Sequence, residues 1–327
     1  MAEAHDKKEF FIGVDLGGTK ILSGLFDQQL QCLGHSKVST KAERGADAVI
    51  ERIARCVEDV IDECDLNRKQ IRGVGVGTPG SIDREAGKVL FAANLGWENV
   101  PLQKELERRL DVPVSIENDC NACMLGVFET ELKGKPRNAV GVFLGTGIGG
   151  GLILDGKLFS GFNHTAGEVG HMVLEVGGPK CTCGNRGCFE ALASRTAIFR
   201  KILTAVKAGQ KTLLTDMLGD DLKDMRSRDL LKAIKQGDKF IEKIVEEAAE
   251  YTGIAVANLI NLFSPEVVVL GGGIIDALED EMMAIIVETA LDCAFPGTAK
   301  GVQIIPSELG DDAGIVGGAV IVQKAGR

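Results

Sequence analysis

The chain has 327 residues, 37 basic against 47 acidic, for a net charge of −10. That balance argues against non-specific binding to nucleic acid or an anionic membrane, and no apolar run approaches the length of a membrane span. The length exceeds one typical core, so two domains are expected, and nine cysteines without a secretory signal point to a reducing cytoplasm.

The first run, Phe10 to Lys20, reads as a buried strand that ends at a glycine turn, with a second strand, Ile21 to Phe26, after it. Ile50, Ile53, Ala54, Val57, Ile61 and Cys64 then mark one face of an amphipathic helix. Ile71 to Gly77 is a strand ending at Thr78-Pro79-Gly80, and Val112 to Glu117 is another, delivering Asn118-Asp119 to its end.

A hairpin like the first begins at Val140. Aligned without gaps, Ile12–Asp27 and Val140–Asp155 share Gly13/Gly141, Val14/Val142, Leu16/Leu144, Gly17/Gly145 and Asp27/Asp155, and both read strand, glycine tip, strand. A duplicated domain is the expected meaning. The copies differ where Asp15 of the first meets Phe143 of the second, so only the first tip carries a carboxylate.

The segment after this second hairpin holds His171, Cys181, Cys183 and Cys188, flanked by Glu168 and Glu190. One imidazole and three thiols at this spacing suit a closed tetrahedral site for structural zinc, with Gly184 and Gly187 supplying the tight turn between the last two thiols. From Arg195 to about Gly237 the chain reads as a peripheral helical insertion, a lid. A long helix from Asp238 to Phe263 stops before Pro265, and the strand Val267 to Leu270 runs into Gly271-Gly272-Gly273. The tail from Ala313, with its small residues Gly317-Gly318-Ala319, reads as a helix packing back on the core.

Three glycine tips therefore follow strands: Gly17-Gly18-Thr19-Lys20, Gly145-Thr146-Gly147 and Gly271-Gly272-Gly273. Glycine there lets backbone N–H groups converge on an anion, so the set reads as two phosphate clamps and a wall for a nucleotide base. A Walker sequence is absent. Gly145-Thr-Gly-Ile-Gly-Gly150 fits the dinucleotide fingerprint in letters, yet it precedes a strand rather than a helix. Alternating strands and helices predict an α/β architecture with ligands gathered at strand ends.

In order and spacing, Asp15-Leu-Gly-Gly-Thr-Lys20, Glu117-Asn-Asp119, Leu144-Gly-Thr-Gly147, Gly167-Glu-Val-Gly-His171 and the Cys181 to Glu190 motif resemble the ROK (repressor, ORF, kinase) sugar kinases, over about residues 10 to 320. The resemblance implies an actin-like, hexokinase-type pair of α/β domains with a ribonuclease H-like core and an interdomain active-site cleft. The first domain would span 1–130, joined by a C-terminal helix at about 313–327. The second would span 131–312, with the metal loop at about 168–190 and the insertion at about 195–237.

The resemblance further implies ATP-dependent phosphorylation of a hexose 6-hydroxyl, glucose above all. Asp119 would be the catalytic base. Asn94, Asn118, Glu168, His171 and Glu190 would contact the sugar beside it. Gly17, Gly18, Thr19, Lys20, Gly145, Thr146, Gly147 and Gly271 to Gly273 would hold ATP, with Asp15 near Mg²⁺. His171, Cys181, Cys183 and Cys188 would hold Zn²⁺, His171 serving metal and sugar through different ring nitrogens. A homodimer or larger homo-oligomer is expected, without membrane or nucleic-acid partners. N-acetylhexosamine kinase and fructokinase remain open beside glucokinase. A non-catalytic sugar-sensing regulator is disfavoured by Asp15 and Asp119, and by the short stretch before Phe10, which leaves no room for a DNA-binding module.

Overall fold

The computed structural model describes residues 10–325, so the two ends of the first expected domain, 1–9 and 326–327, lie outside the described residues. In chain order the elements are β1 (Phe10–Leu16), β2 (Lys20–Phe26), β3 (Cys32–Ser39), α1 (Ala46–Glu63), β4 (Ile71–Thr78), β5 (Ser81–Asp83), β6 (Lys88–Ala92), β7 (Trp97–Val100), α2 (Leu102–Leu110), β8 (Val114–Asn118) and α3 (Asp119–Thr130). They continue with β9 (Ala139–Leu144), β10 (Ile148–Leu154), β11 (Lys157–Leu158), α4 (Phe189–Ala193), α5 (Arg195–Lys207), α6 (Leu213–Leu218), α7 (Ser227–Lys235), α8 (Lys239–Phe263), β12 (Val267–Gly271), α9 (Ile275–Cys293), α10 (Pro296–Ala299), β13 (Gln303–Pro306) and α11 (Ala313–Ala325).

Two compact units emerge, one of residues 1–135, 151–166 and 311–327, the other of 136–150 and 167–310. The first is built on a sheet of order β3-β2-β1-β4-β8; a second sheet has the order β11-β10-β9-β12-β13, with β9, β12 and β13 in the second unit. In each, an antiparallel hairpin supplies the centre and the next strands add in parallel, so the weak repeat in the letters corresponds to one topology used twice.

In the first unit, β1 pairs antiparallel with β2 (Val14↔Ser23) and parallel with β4 (Val14↔Val76), and β4 pairs with β8 (Thr78↔Asn118). The tips of β1 and β4 thus point the same way as the end of β8, which brings Asp15, Gly77 and Asn118 to one edge. Ile12, Val14 and Leu16 are fully buried, and α1 covers the sheet with Val49, Ile53, Val57 and Val60. Cys64 lies just past the end of that helix, as its C-cap, because the chain turns at Asp65 with positive φ.

On the other side α11 packs backbone against backbone. A Cβ on Gly13 would fall 1.7 Å from the Ile315 carbonyl oxygen, and one on Gly317 would fall 1.7 Å from that of Ala122 in α3. The run of small residues in the tail helix exists for this approach. A separate three-stranded sheet, β5-β6-β7, completes the unit.

The second unit is centred on β9, β12 and β13, parallel with Val269 opposite Gly141 and Ile305. The long helix α8 starts where Asp238 accepts the N–H groups of Phe240 (3.1 Å) and Ile241 (3.2 Å), and it stops at Ser264, in left-handed conformation ahead of Pro265. The region from Arg195 to Gly237 resolves into α5, α6 and α7.

Candidate active site and metal centre

In the first unit the β1–β2 tip is closed by Gly17 N–H donating to the Lys20 carbonyl at 2.9 Å. Thr40, fully buried, braces it twice: its N–H donates to the Thr19 carbonyl at 2.9 Å and its hydroxyl to the Gly17 carbonyl at 2.7 Å. Gly18 faces Asn94, which sits in the turn after β6; a Cβ on Gly18 would stand 3.5 Å from that of Asn94. Lys20 reaches Asp311 at 2.5 Å.

Asp119 opens α3 immediately after β8. Asn118 is the N-cap, its Oδ1 accepting the N–H groups of Cys120 (2.9 Å) and Asn121 (3.1 Å), while its Nδ2 donates to the Gly80 carbonyl at 3.3 Å. The Asn118 side chain also hydrogen-bonds the Asp119 carboxyl, which opposes part of the effect of burial there. Burial raises the Asp119 carboxyl above the usual range, and it raises Asp15 to about 7, with the nearby Asp119 charge adding to the shift and Lys20 opposing it. Two carboxyls that resist ionisation stand together here, one of them at a helix start.

In the second unit the β9–β10 tip is closed by Gly145 N–H donating to the Gly147 carbonyl at 2.8 Å. The start of α5 holds this tip from behind: Arg195 N–H donates to the Gly145 carbonyl at 3.0 Å, the Arg195 guanidinium bonds the Thr146 hydroxyl, and the Thr196 hydroxyl donates to the Thr146 carbonyl at 2.7 Å. Gly272, at φ +89°, lies against β9, where a Cβ would come within 2.6 Å of the Leu144 carbonyl oxygen. The tips at Gly145–Gly147 and Gly271–Gly273 therefore stand side by side at the ends of adjacent parallel strands.

His171, Cys181, Cys183 and Cys188 each place one donor atom within 4.8 Å of all the others. Cys183 Sγ lies 3.7 Å from Cys188 Sγ, and Cys181 Sγ 3.7 Å from His171 Nδ1. A tetrahedron with bonds of about 2.3 Å to sulfur has edges of about 3.8 Å, so the donor set fits zinc in number, type and spacing. Burial pushes the Cys188 thiol up to about 12, while the Asn185 N–H draws Cys183 down; a bound cation would reverse the cost at Cys188 by taking its thiolate. Gly187, at φ +73°, is required here, since a Cβ would fall 1.7 Å from the Glu175 carbonyl oxygen.

Through its other nitrogen, Nε2, His171 faces Glu168 Oε2 at 3.9 Å. Glu190, two residues beyond the last thiol, lies against the glycine tip. Its Oε2 accepts the Ile148 N–H at 3.0 Å, and its Oε1 meets the Thr182 hydroxyl at 3.2 Å. Thr40, Asp311, Arg195 and Thr182 escape a reading of the letters, because each acts through a contact made only in the fold. The acidic pair Asp311-Asp312 ahead of the small-residue tail is the one available hint, and its partner lies 291 positions away.

The ROK family profile matches residues 11–325. The chain belongs to the ROK family. It is 38% identical over 314 residues to a glucokinase of Thermotoga maritima, covering 96% of this chain and 97% of that one. It is 32% identical over 324 residues to an N-acetyl-D-glucosamine kinase of Vibrio cholerae, covering 95% and 99%. Among solved structures, a ROK family glucokinase from Streptomyces griseus in complex with glucose and AMPPNP superposes with a TM-score of 0.85 at 30% identity, covering 96% of this chain and 99% of that one. The ROK fold of this chain is the actin-like two-domain fold, with an equivalent strand order in its two five-stranded sheets. Among the described residues, no helix is long and apolar enough to cross a membrane.

Proposed function

We propose that this protein transfers the γ-phosphoryl group of ATP to the 6-hydroxyl of a hexose, and that the hexose is glucose. The observation that carries the reading is Asp119, a carboxyl raised above the usual range by burial, at the start of α3 in the same unit as Asp15 and the Gly17–Lys20 tip. A base with raised pKa takes a hydroxyl proton more readily than an ordinary carboxylate does. Phosphoryl transfer otherwise needs in-line placement and neutralisation of phosphate charge, which the N–H groups of the glycine tips and Lys20 supply. Lys20 must exchange Asp311 for a phosphate oxygen to do so.

Asp15 would hold Mg²⁺, whose charge supports the ionised carboxylate that burial opposes; bound there, the ion neutralises phosphate charge. Asn94, Asn118, Glu168, His171 and Glu190 contact sugar hydroxyls in this reading, and a mismatched hydroxyl leaves one of them unpaired. His171, Cys181, Cys183 and Cys188 would hold Zn²⁺, with His171 Nδ1 toward the metal and Nε2 left for the sugar. The zinc stiffens the loop that presents Glu168, His171 and Glu190. We place the enzyme in the cytoplasm as a homodimer or larger homo-oligomer.

The relative named as an N-acetyl-D-glucosamine kinase favours N-acetylhexosamine as the second reading. A coupled ADP-release screen of glucose, mannose, fructose, N-acetylglucosamine and N-acetylmannosamine tests both. Highest kcat/KM on glucose supports the first reading, highest kcat/KM on an N-acetylated sugar replaces it, and no sugar-dependent ADP release removes the kinase assignment.

A further inference from the structure

Glu117 precedes the Asn118-Asp119 pair on β8, and its side chain is 1% exposed. Its Oε1 accepts the Asn118 N–H at 2.9 Å and the Asn121 Nδ2 at 3.1 Å. Its Oε2 forms an ion pair with Arg84 Nη1 at 3.0 Å, outside hydrogen-bond geometry, and Arg84, just past β5, is 40% exposed. The three-stranded sheet is thus joined to the start of α3 at two points, Arg84 to Glu117 and the Gly80 carbonyl to Asn118 Nδ2. Gly80 in turn is pressed against β6, where a Cβ would fall 2.1 Å from the Phe91 carbonyl oxygen, three residues before Asn94.

A buried carboxylate is costly unless it is paired and hydrogen-bonded, and a well-packed apolar residue would stabilise a sheet end at least as well. What the carboxylate adds is geometry. One oxygen fixes the first turn of α3 through Asn118 and Asn121, and the other fixes the β5–β7 sheet through Arg84. The two ties thus meet the segment before Asp119 on one side and, through Gly80 and Phe91, the strand that leads to Asn94 on the other.

We propose that Glu117 and Arg84 form a positioning clamp for the sugar side of the reaction, acting through Asn118 and the Asn94 turn without touching substrate. The inference rests on the proposed role of Asp119. Its test uses the full chain with Arg84→Ala, Arg84→Lys and Glu117→Gln, in kinetics and in amide hydrogen exchange. Loss of the clamp by Arg84→Ala lowers kcat/KM for the sugar on the order of 10- to 100-fold while KM for ATP stays within about twofold, and Arg84→Lys regains most of the loss. Glu117→Gln added to Arg84→Ala costs less than the two single losses combined. Exchange across 81–100 accelerates in Arg84→Ala, and that of β1 and β2 does not.

Wild-type sugar kinetics in Arg84→Ala, or equal losses on sugar and ATP in proportion to a lowered melting temperature, would overturn the clamp. If the wild-type protein phosphorylates no sugar, the parent reading of Asp119 fails, and unchanged exchange over 81–100 in Arg84→Ala would sink the clamp separately.

Discussion

Glu190 Oε2 accepts the backbone N–H of Ile148 at 3.0 Å, so one carboxylate ties the end of the cysteine loop to the glycine tip of the β9–β10 hairpin. The contact is close enough that a Cβ on Gly147 would fall 2.3 Å from the same oxygen. Glu190 therefore has two duties in the proposed enzyme, one toward a sugar hydroxyl and one toward the shape of a phosphate-binding tip. Glu190→Ala removes both and raises KM for sugar and for ATP. Glu190→Gln keeps an oxygen for the Ile148 N–H, so KM for ATP returns to near wild type while sugar KM stays elevated. A lost charged hydrogen bond costs about 1.5–3 kcal/mol, which corresponds to roughly 10- to 150-fold in sugar KM. Steady-state kinetics with each substrate varied in turn separate the two duties.

Cys183→Ser removes one thiolate from the four-donor cluster. Elemental analysis should find one zinc per wild-type chain and less than a tenth of that in the variant, on the order expected when a tetrahedral thiolate site loses a ligand. Sugar KM rises in the variant because Glu168, His171 and Glu190 lose their common support. Zinc-free protein with unchanged sugar KM would contradict the scaffold role.

Asp119→Asn keeps the size of the side chain and removes the proposed base. General-base catalysis contributes typically 10²–10⁴-fold, and kcat should fall by roughly that factor. Calorimetric titration with sugar should give nearly wild-type affinity, since the amide still accepts and donates hydrogen bonds. The contrast between lost turnover and kept binding distinguishes a base from a binding residue.

The elements and residues of this fold are unequally visible in the sequence. Strand ends and glycine tips are local chemistry, so β1, β4, β8, β12 and the helix from Asp238 can be read from alternation, glycine and capping residues. The cluster of His171, Cys181, Cys183 and Cys188 can be read for the same reason, its members lying close in the chain. Lys20 and Asp311 are 291 positions apart, and no local pattern announces their ion pair. The β5-β6-β7 sheet escapes too, because its strands are three to five residues long and its partly exposed faces lack a clean period of two. Asn118 offers a different lesson. Its letter suits a hydroxyl ligand, but the fold commits its carbonyl oxygen to capping α3.

Asp15 makes the stability of the metal-free protein depend on pH with a definite sign. Its carboxyl is raised from 3.8 to about 7 by burial, so the folded state binds a proton there more tightly than the unfolded chain does. That contribution is complete below pH 3.8, declines as pH rises through the interval, and is gone above about 7. Asp15→Asn, which cannot ionise, escapes the decline. Melting temperatures of wild type and Asp15→Asn, compared from pH 5 to pH 8 without divalent cations, should diverge in favour of the variant as pH rises. Parallel curves would show that Asp15 ionises in the fold as easily as in water.

Gly317→Ala tests the closeness of the tail helix. The added Cβ would fall 1.7 Å from the Ala122 carbonyl oxygen, a backbone atom of α3 that no rotamer change can move aside. Overpacking a tight core typically costs about 1–3 kcal/mol, and the absence of a flexible neighbour puts this site at or beyond the upper end. The damage should not stay at residue 317. Since α11 lies on β1, β4 and α3, moving it displaces the strand that carries Asp15 and the helix that starts at Asp119. Reduced melting temperature together with lowered kcat is the expected pair of results. By contrast Gly156→Ala, at a hairpin turn where a Cβ would meet nothing within 4 Å, should cost only the strain of its positive φ and leave kcat unchanged.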